Sequence, residues 1–268
     1  MRPRTSTTYQ GMARDAADLP VHPTDDALVT EVDLVDLPAP ARRYLRFMNV
    51  PGRPRDWSFR AHFTGRFRRR PGRWLPCDGW QYNSGLEIAR VFHMRINVAG
   101  IVPMFGRDIY RHGRGHMRGT LLGLFPVVDG SGPEYDIGEL VTYLNDAVLL
   151  APSMLLRLPV SWSAVDDDTF EITLTDAGNS VAAVVSLDER GAPCDFTTTD
   201  RFYDLDGTPV RTRWSTPVES WSSDGPRPTP LRASAMWHLS SGPFRYADFC
   251  FPPDGIRYNK PPDETNHR

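Results

Sequence analysis

The fold of this chain is decided by one stretch of sequence, residues 107–158: RDIYRHGRGHMRGTLLGLFPVVDGSGPEYDIGELVTYLNDAVLLAPSMLLRL. It contains a polar strand, a glycine-spaced turn, an acidic loop and a long amphipathic helix, which is predicted over about Ile137–Leu150. Apolar residues recur at helical spacing on one face of this helix, which we expect to pack on a sheet. They are Leu140, Leu144, Ala147, Val148 and Ala151.

Alternating β-strands surround that segment. The clearest covers Trp57–Phe67, where apolar residues from Trp57 to Phe67 share the inward face while Ser58, Arg60 and His62 are expected to face solvent. About nine to eleven strands are predicted, among them Val210–Trp221, together with an N-terminal helix around Pro40–Met48. Strands and helices do not alternate along the chain as they would in βαβ units, so the expected fold class is α+β. We expect a large curved antiparallel sheet, an open β-barrel, with the central amphipathic helix in its concave side and room for an apolar cavity.

The polarity of the two ends suggests three segments. Residues 1–22 are predicted to be a disordered tail, 23–258 a single β-rich domain, and 259–268 a flexible C-terminal tail. Because the N-terminal stretch has no apolar run, neither a signal peptide nor a membrane span is expected, and a cytoplasmic location is predicted.

Composition excludes several kinds of chemistry. Of the 31 basic residues in 268, only Lys260 is a lysine, so Schiff-base chemistry, pyridoxal phosphate and a P-loop are not expected. The three cysteines, Cys77, Cys194 and Cys250, lack the spacing of a zinc site, and no HExxH motif is present. We therefore expect neither a metal nor a cofactor.

Arginines are concentrated between Arg42 and Arg73, where Asp56 is the only acid. Most of them fall on the outward parity of a strand, in its turn or on a helix flank, which favours a solvated polar face. A surface for an anionic partner stays open as the alternative. The net charge of −2 gives no reason to expect a nucleic-acid partner.

The glycines of His112–Gly119 have two interpretations. Their spacing is one residue too long for a dinucleotide-binding loop, and no well-capped helix follows directly, so a bent strand is favoured over a phosphate loop. The acids Glu134, Asp136 and Glu139 cluster at the start of the helix. Asp136 is expected to cap it; a general acid or base in a pocket is the alternative.

Several ordered motifs in the chain resemble a bacterial family of unknown function, DUF6544. They are Asp108, Tyr110, Gly113, Gly115 and Met117; then Gly138, Glu139, Leu140, Tyr143, Leu144, Asn145 and Asp146; then Pro152. The resemblance extends from about Leu37 to Tyr258. It implies an open β-barrel similar to lipoprotein carriers, in which a concave apolar face holds an acyl chain or another greasy ligand.

The ligand-binding candidates combine these motifs with helical and strand spacing. They are Asp108, Tyr110, Glu139, Tyr143, Asp146, Arg201 and Trp237. The alternative is a buried polar network that ties the helix to the sheet without binding anything.

Three functions are consistent with the sequence. The favoured one is binding of a hydrophobic small molecule or lipid, since aromatics such as Trp214 and Trp237 have the parity of a cavity lining. The second is a cofactor-independent enzyme (a cyclase, isomerase or lyase) in which Asp108, Tyr110 or Glu139 transfers a proton. The third is a structural or interaction protein.

Overall fold

The computed structural model describes residues 6–21, 27–98, 102–205, 207–222, 225–252 and 254–263. Within these ranges there are three α-helices: α1 (Thr7–Asp15), α2 (Ala39–Phe47) and α3 (Pro133–Leu150). There are also two short 3₁₀ helices. One, Glu31–Leu34, precedes α2, and the other, Pro152–Leu156, follows α3.

The same residues form seventeen strands. In chain order these are β1 (Ser58–Phe67), β2 (Leu75–Ser84), β3 (Ala89–Val98), β4 (Val102–Arg111), β5 (Arg114–Leu121), β6 (Phe125–Ser131), β7 (Val160–Ala164), β8 (Thr169–Asp176), β9 (Asn179–Leu187), β10 (Pro193–Thr198), β11 (Phe202–Leu205), β12 (Thr208–Arg211), β13 (Trp214–Ser215), β14 (Val218–Ser222), β15 (Thr229–Leu239), β16 (Gly242–Cys250) and β17 (Ile256–Tyr258).

Fifteen strands belong to one antiparallel sheet, ordered β6-β5-β4-β3-β2-β1-β16-β15-β13-β10-β9-β8-β7. Strand β14 pairs with β15 and β17 with β1, whereas β11 and β12 form a separate hairpin. The terminal strands β6 and β7 do not pair with each other, so the barrel is open. Helix α3 packs against β5, β9 and β4. This confirms the predicted fold class, a large antiparallel sheet folded as an open barrel around a central helix.

The number of strands exceeds the prediction, and at two places the cause is local. Val210–Trp221 is not one strand but parts of three, because Pro217 has no N–H for the ladder and interrupts it between β13 and β14. No strand was expected at β6, whose Pro126 and Gly130 are both poor strand formers.

The side chains of β1 alternate between the two faces of the sheet as predicted. At the start of the strand, however, the outward face is covered and not exposed to solvent. Arg60 is 6% exposed, and its guanidinium donates a hydrogen bond to the Tyr9 hydroxyl at 3.1 Å. Tyr9 and Met12 of α1 pack over Tyr82 on the outer face of β2. The predicted disorder of residues 1–22 therefore differs from the structure over α1, while residues 1–5 and 22 lie outside the described part.

The beginning of the C-terminal tail is anchored to β1. The Asn259 Oδ1 accepts a hydrogen bond from the Trp57 amide at 2.7 Å, and the Lys260 carbonyl accepts one from the Ser58 hydroxyl at 3.1 Å. The predicted flexibility of the tail thus does not extend to its first residues, and 264–268 lie outside the described part. The grouping of residues 23–258 into one domain stays a prediction.

Helix α3 begins earlier than predicted. Gly132, with φ +119°, precedes Pro133 at the first helical position, where a missing N–H has no cost. Asp136 is therefore not the cap but lies in the first turn. Its carboxylate accepts hydrogen bonds from the Gly115 amide at 2.7 Å and from the Arg114 guanidinium at 2.9 Å, which ties the helix to β5.

The glycines of His112–Gly119 belong to a hairpin. His112 (φ +51°) and Gly113 (φ +75°) form a two-residue turn between β4 and β5, and the β5–β6 register shifts at Gly119. The bent-strand interpretation is confirmed and the phosphate loop is wrong. Gly115 has another reason to be glycine, since a Cβ there would lie 2.1 Å from the Tyr135 carbonyl oxygen.

Two glycine substitutions test this docking of α3. Gly115→Ala forces the first turn of α3 away from β5, and we expect it to lower the free energy of unfolding by about 1–3 kcal/mol. Gly138→Ala is the matched control, because a Cβ there meets nothing within 4 Å and alanine favours the helix by up to about 1 kcal/mol. Urea denaturation measures both. Equal effects of the two variants would contradict the close approach at Gly115.

Candidate functional site

The register of the sheet places a row of side chains on its concave face. Gln81, Phe92, Asp108 and Met117 are directly opposite one another on β2 to β5. Cross-strand partners point to the same side of a sheet, so Asp108 faces the interior beside an aromatic ring and a thioether. The adjacent row includes Arg90 on β3.

Arg90 is the centre of a buried ionic cluster. Its side chain is 4% exposed and donates to the Glu139 carboxylate at 3.0 Å and to the Asp146 carboxylate at 2.7 Å. Both acids belong to α3 and are seven residues apart, two turns along one face of the helix. The guanidinium also lies 4.7 Å from the centroid of the Phe92 ring. The cluster therefore joins α3 to β3 in the interior of the barrel.

The charges of this cluster do not cancel, because one guanidinium faces two carboxylates. Burial raises the pKa of Glu139 and of Asp146, and Arg90 opposes the rise in both cases. Burial lowers the pKa of Arg90, but Asp146 and Glu139 outweigh it and raise that pKa. Arg90 therefore stays charged and is fully engaged by the helix.

Asp108 lies at the edge of the cluster and is only half-buried. Burial and the nearby Glu139 carboxylate raise the pKa of Asp108 to about 7, against the lowering effects of Arg90 and Arg201. A carboxyl group with this pKa exists in both protonation states near neutral pH. It can donate as well as accept a hydrogen bond, and it can transfer a proton.

Arg201 approaches the same region from the other half of the sheet. Its guanidinium carbon lies 4.4 Å from the Trp214 ring centroid and 5.6 Å from that of Trp237. The Trp214 indole donates a hydrogen bond to the Tyr246 hydroxyl at 3.0 Å. In the described part of the chain, no hydrogen bond or ion pair engages the Arg201 guanidinium. The aromatic rings thus position a cation whose hydrogen-bond donors are available.

Five of the seven predicted site residues come together here, namely Asp108, Glu139, Asp146, Arg201 and Trp237. The two tyrosines have structural partners instead. The Tyr110 hydroxyl donates to the Asp176 carboxylate at 2.7 Å, and the Tyr143 hydroxyl donates to the Ser84 carbonyl at 2.8 Å. Both rings are fully buried. They hold α3 and β4 in place and are not exposed to a ligand.

The prediction missed Arg90, the residue with the most ionic contacts in the cluster. A signal was present, because Arg90 has the same strand parity as Ile88, Phe92 and Ile96, the inward stripe of β3. An arginine on an apolar stripe indicates a buried cation that needs acidic partners. The predicted polar face of α3 supplies them through Glu139 and Asp146.

Beside Asp108, two glycines leave the inner face of the sheet without side chains, and we call the space over them the groove. In the next row of the sheet, Met94 is opposite Gly106, and Gly106 is opposite Gly119. A Cβ on Gly106 would meet nothing closer than 4.0 Å, and one on Gly119 would meet only Val128, at 3.5 Å. These two glycines therefore leave free space on the inner face, next to a half-buried methionine and a titratable carboxyl group.

No group of three His, Cys, Asp or Glu side chains that could hold a metal ion occurs among the residues that the structure describes.

The pKa of Asp108 predicts a pH-dependent stability. The folded protein retains this proton up to about pH 7, whereas the unfolded chain releases it near the ordinary value of 3.8. The unfolded state binds fewer protons between these values, so Asp108 makes the protein less stable as pH rises from 3.8 to about 7. We expect Asp108→Asn to remove this decrease in the free energy of unfolding with pH. The variant should therefore be more stable than the wild type at pH 8. Urea denaturation across the pH range measures it; parallel pH profiles for the two proteins would contradict the raised pKa.

Removing Arg90 tests the ionic cluster. Arg90→Met leaves Glu139 and Asp146 buried without a cation, and we expect a loss of about 3–5 kcal/mol in the free energy of unfolding. The triple variant that adds Glu139→Gln and Asp146→Asn should recover most of this loss, because no uncompensated charge remains. A triple variant as unstable as the single one would show that Arg90 acts through packing and not through charge.

Solved structures that are similar to the chain include two bacterial proteins. One is a DUF1329 family protein from Desulfovibrio piger, with 10% identity and a TM-score of 0.43 over 82% of this chain and 92% of the other. The second is a LolA superfamily protein from Nitrosomonas europaea, with 13% identity and a TM-score of 0.40 over 86% and 94%.

No curated protein matches the sequence. The model of a family of unknown function, DUF6544, matches residues 27–249, a range that includes α2, α3 and every site residue described above. The motifs of the central segment predict this assignment, and the chain belongs to the DUF6544 family.

Proposed function

We propose that the concave face of the open barrel binds an apolar small molecule or lipid that carries a polar end. The observation that carries the proposal is the open groove at Gly106 and Gly119, directly beside Asp108. A sheet that used its interior only for packing would fill such positions with side chains. Two other inner glycines, Gly79 and Gly130, are filled in this way, by the rings of Phe63 and Tyr135.

The walls of the groove suit an alkyl chain or a ring system. Met94, Met104 and Met117 lie on the inner rows of β3, β4 and β5, and all three are half-buried. Methionine side chains adapt to ligands of irregular shape because they are unbranched and polarizable. Toward β16, the Phe63 ring stacks on Phe92 with centroids 5.5 Å apart. Apolar walls with a few polar groups are typical of small-molecule sites.

The polar end of the ligand has two partners. Arg201 lies over the Trp214 and Trp237 rings and offers hydrogen-bond donors to a carboxylate or phosphate. Asp108 adds a group that can donate or accept near neutral pH. Arg90 does not contribute, because Glu139 and Asp146 already occupy it. We therefore infer that a single anionic or neutral polar head binds at Arg201, with its apolar body over the two glycines.

Blocking the groove tests the proposal. Gly106→Leu and Gly119→Leu place a side chain in the free space, and neither glycine has a positive φ that a larger residue would strain. We expect each to weaken binding of 11-(dansylamino)undecanoic acid at least about tenfold, since filled space excludes the chain, while the melting temperature stays the same or rises. Fluorescence titration measures the affinity.

Arg118→Leu is the matched control, because it adds the same side chain to the opposite face of β5, where residue 118 is exposed. Its affinity for the probe should equal that of the wild type. Arg201→Met should weaken binding of the acid probe but not binding of its methyl ester. Equal probe binding by the wild type and both leucine variants would contradict the proposed site.

One observation favours a second candidate, a cofactor-independent enzyme. The pKa of Asp108, raised to about 7 at the edge of the groove, suits a general acid or base at neutral pH. In that case Asp108→Asn keeps its affinity for the ligand but does not convert it. To distinguish an enzyme from a binder, the molecule bound to this variant is extracted, incubated with the wild-type protein and analysed by chromatography. Conversion of the molecule indicates an enzyme, and an unchanged molecule indicates a binder.

A further inference from the structure

A second surface of the molecule lies outside the groove, at one edge of the sheet. The turns that join β1 to β2 and β5 to β6 emerge from the same edge, since successive strands of the sheet alternate in direction. The nearest strands of the two turns, β2 and β5, are three positions apart in the sheet, a separation of about 15 Å. We call this region the turn edge, made of residues 68–74 and 122–127.

The β5–β6 turn exposes apolar side chains. Leu124 is 77% exposed, Phe125 61%, Val127 50% and Leu122 49%. They are consecutive or nearly so, and they sit on the terminal strand pair of the sheet, where no neighbouring strand covers them. Contiguous exposed apolar groups of this kind mark a surface that is covered when the protein works.

The β1–β2 turn exposes cations. Arg69, Arg70 and Arg73 are exposed, and among the residues that the structure describes none forms a hydrogen bond or an ion pair with them. Other arginines of the Arg42–Arg73 cluster are neutralised, as in the pairs Arg43–Asp168 and Arg46–Glu31. Within the described part of the chain, the cluster therefore contains both paired and unpaired arginines, and three of the unpaired ones lie in this turn.

The sequence around both turns contains no acid. Neither residues 66–76 nor residues 118–128 include an aspartate or a glutamate. The turn edge thus combines positive charge with exposed apolar groups and lacks carboxylates that would repel an anionic partner. Its charge is complementary to phosphate groups above an apolar layer.

We propose that the turn edge docks on an anionic lipid bilayer. The three arginines contact the phosphates, and Leu124 and Phe125 enter the boundary between headgroups and acyl chains, the arrangement by which peripheral proteins combine two weak attractions. No described helix is long and apolar enough to cross a membrane. The proposal goes beyond ligand binding and stands independently of it.

A lipid surface explains the turn edge better than a protein strand does. A partner strand would extend the sheet along β6, but β6 contains Pro126 and its register with β5 is irregular at Gly119/Thr120. Proline and bulges blunt an edge against strand addition. A bilayer needs no such hydrogen-bond ladder.

Cosedimentation with vesicles tests the docking. The full chain should bind vesicles of phosphatidylcholine mixed with phosphatidylglycerol, bind phosphatidylcholine alone much more weakly, and lose binding as salt is raised. The variant with Arg69, Arg70 and Arg73 each changed to Gln should bind the anionic vesicles at least about tenfold more weakly, given the contribution of each basic residue near a charged surface. Leu124→Asp with Phe125→Asp should lose binding to a similar extent.

The matched control is Val32→Asp with Val35→Asp, which changes two apolar residues that are 78% and 61% exposed elsewhere on the molecule. It should bind vesicles like the wild type. Absence of binding to anionic vesicles overturns the proposal, as does an equal loss in the control. Self-association or capture of another protein through the turn edge without vesicle binding also overturns it. Probe binding in the groove should be unchanged in all three variants, which separates this test from that of the proposed function.

Discussion

One buried interaction organises the interior of the barrel: the guanidinium of Arg90 between the carboxylates of Glu139 and Asp146. A helix inside a curved sheet has no solvent-facing side, so its polar residues must find partners in the protein. Helix α3 directs its apolar residues at one part of the sheet and these two acids at β3. These apolar and ionic contacts together fix the rotation of the helix about its axis. They thereby fix which part of the inner face of the sheet stays free as the groove.

The excess of negative charge in the cluster has a chemical consequence. Burial, together with the nearby Glu139 carboxylate, pushes a third carboxyl group, Asp108, toward its neutral form. Arg201 lies on the other side of the groove with its charge uncompensated by any ion pair in the described structure. The groove therefore offers a neutral-to-anionic group and a cation, together with an apolar surface and space left by two glycines.

The sequence predicted the architecture well and the environment of individual side chains less well. Strand parity and the spacing of α3 depend on local periodicity, which is visible in a single chain. The covering of Arg60 by α1, the hydrogen bond of Ser58 to Lys260, and the hydroxyl partners of Tyr110 and Tyr143 depend on contacts between distant segments. Arg90 lay on an apolar stripe of β3 and was the one missed residue that parity could have identified. The interruption between β13 and β14 at Pro217 could likewise have been predicted from the local sequence.

Native mass spectrometry of the purified chain tests whether the interior is a binding groove and not only a packed core. We predict that the wild type carries an added mass, removed on denaturation and identifiable as an amphipathic molecule, or acquires one on incubation with a fatty acid. The Gly106→Leu variant should carry none. A wild-type protein that stays ligand-free under both conditions would contradict a binding groove in the interior.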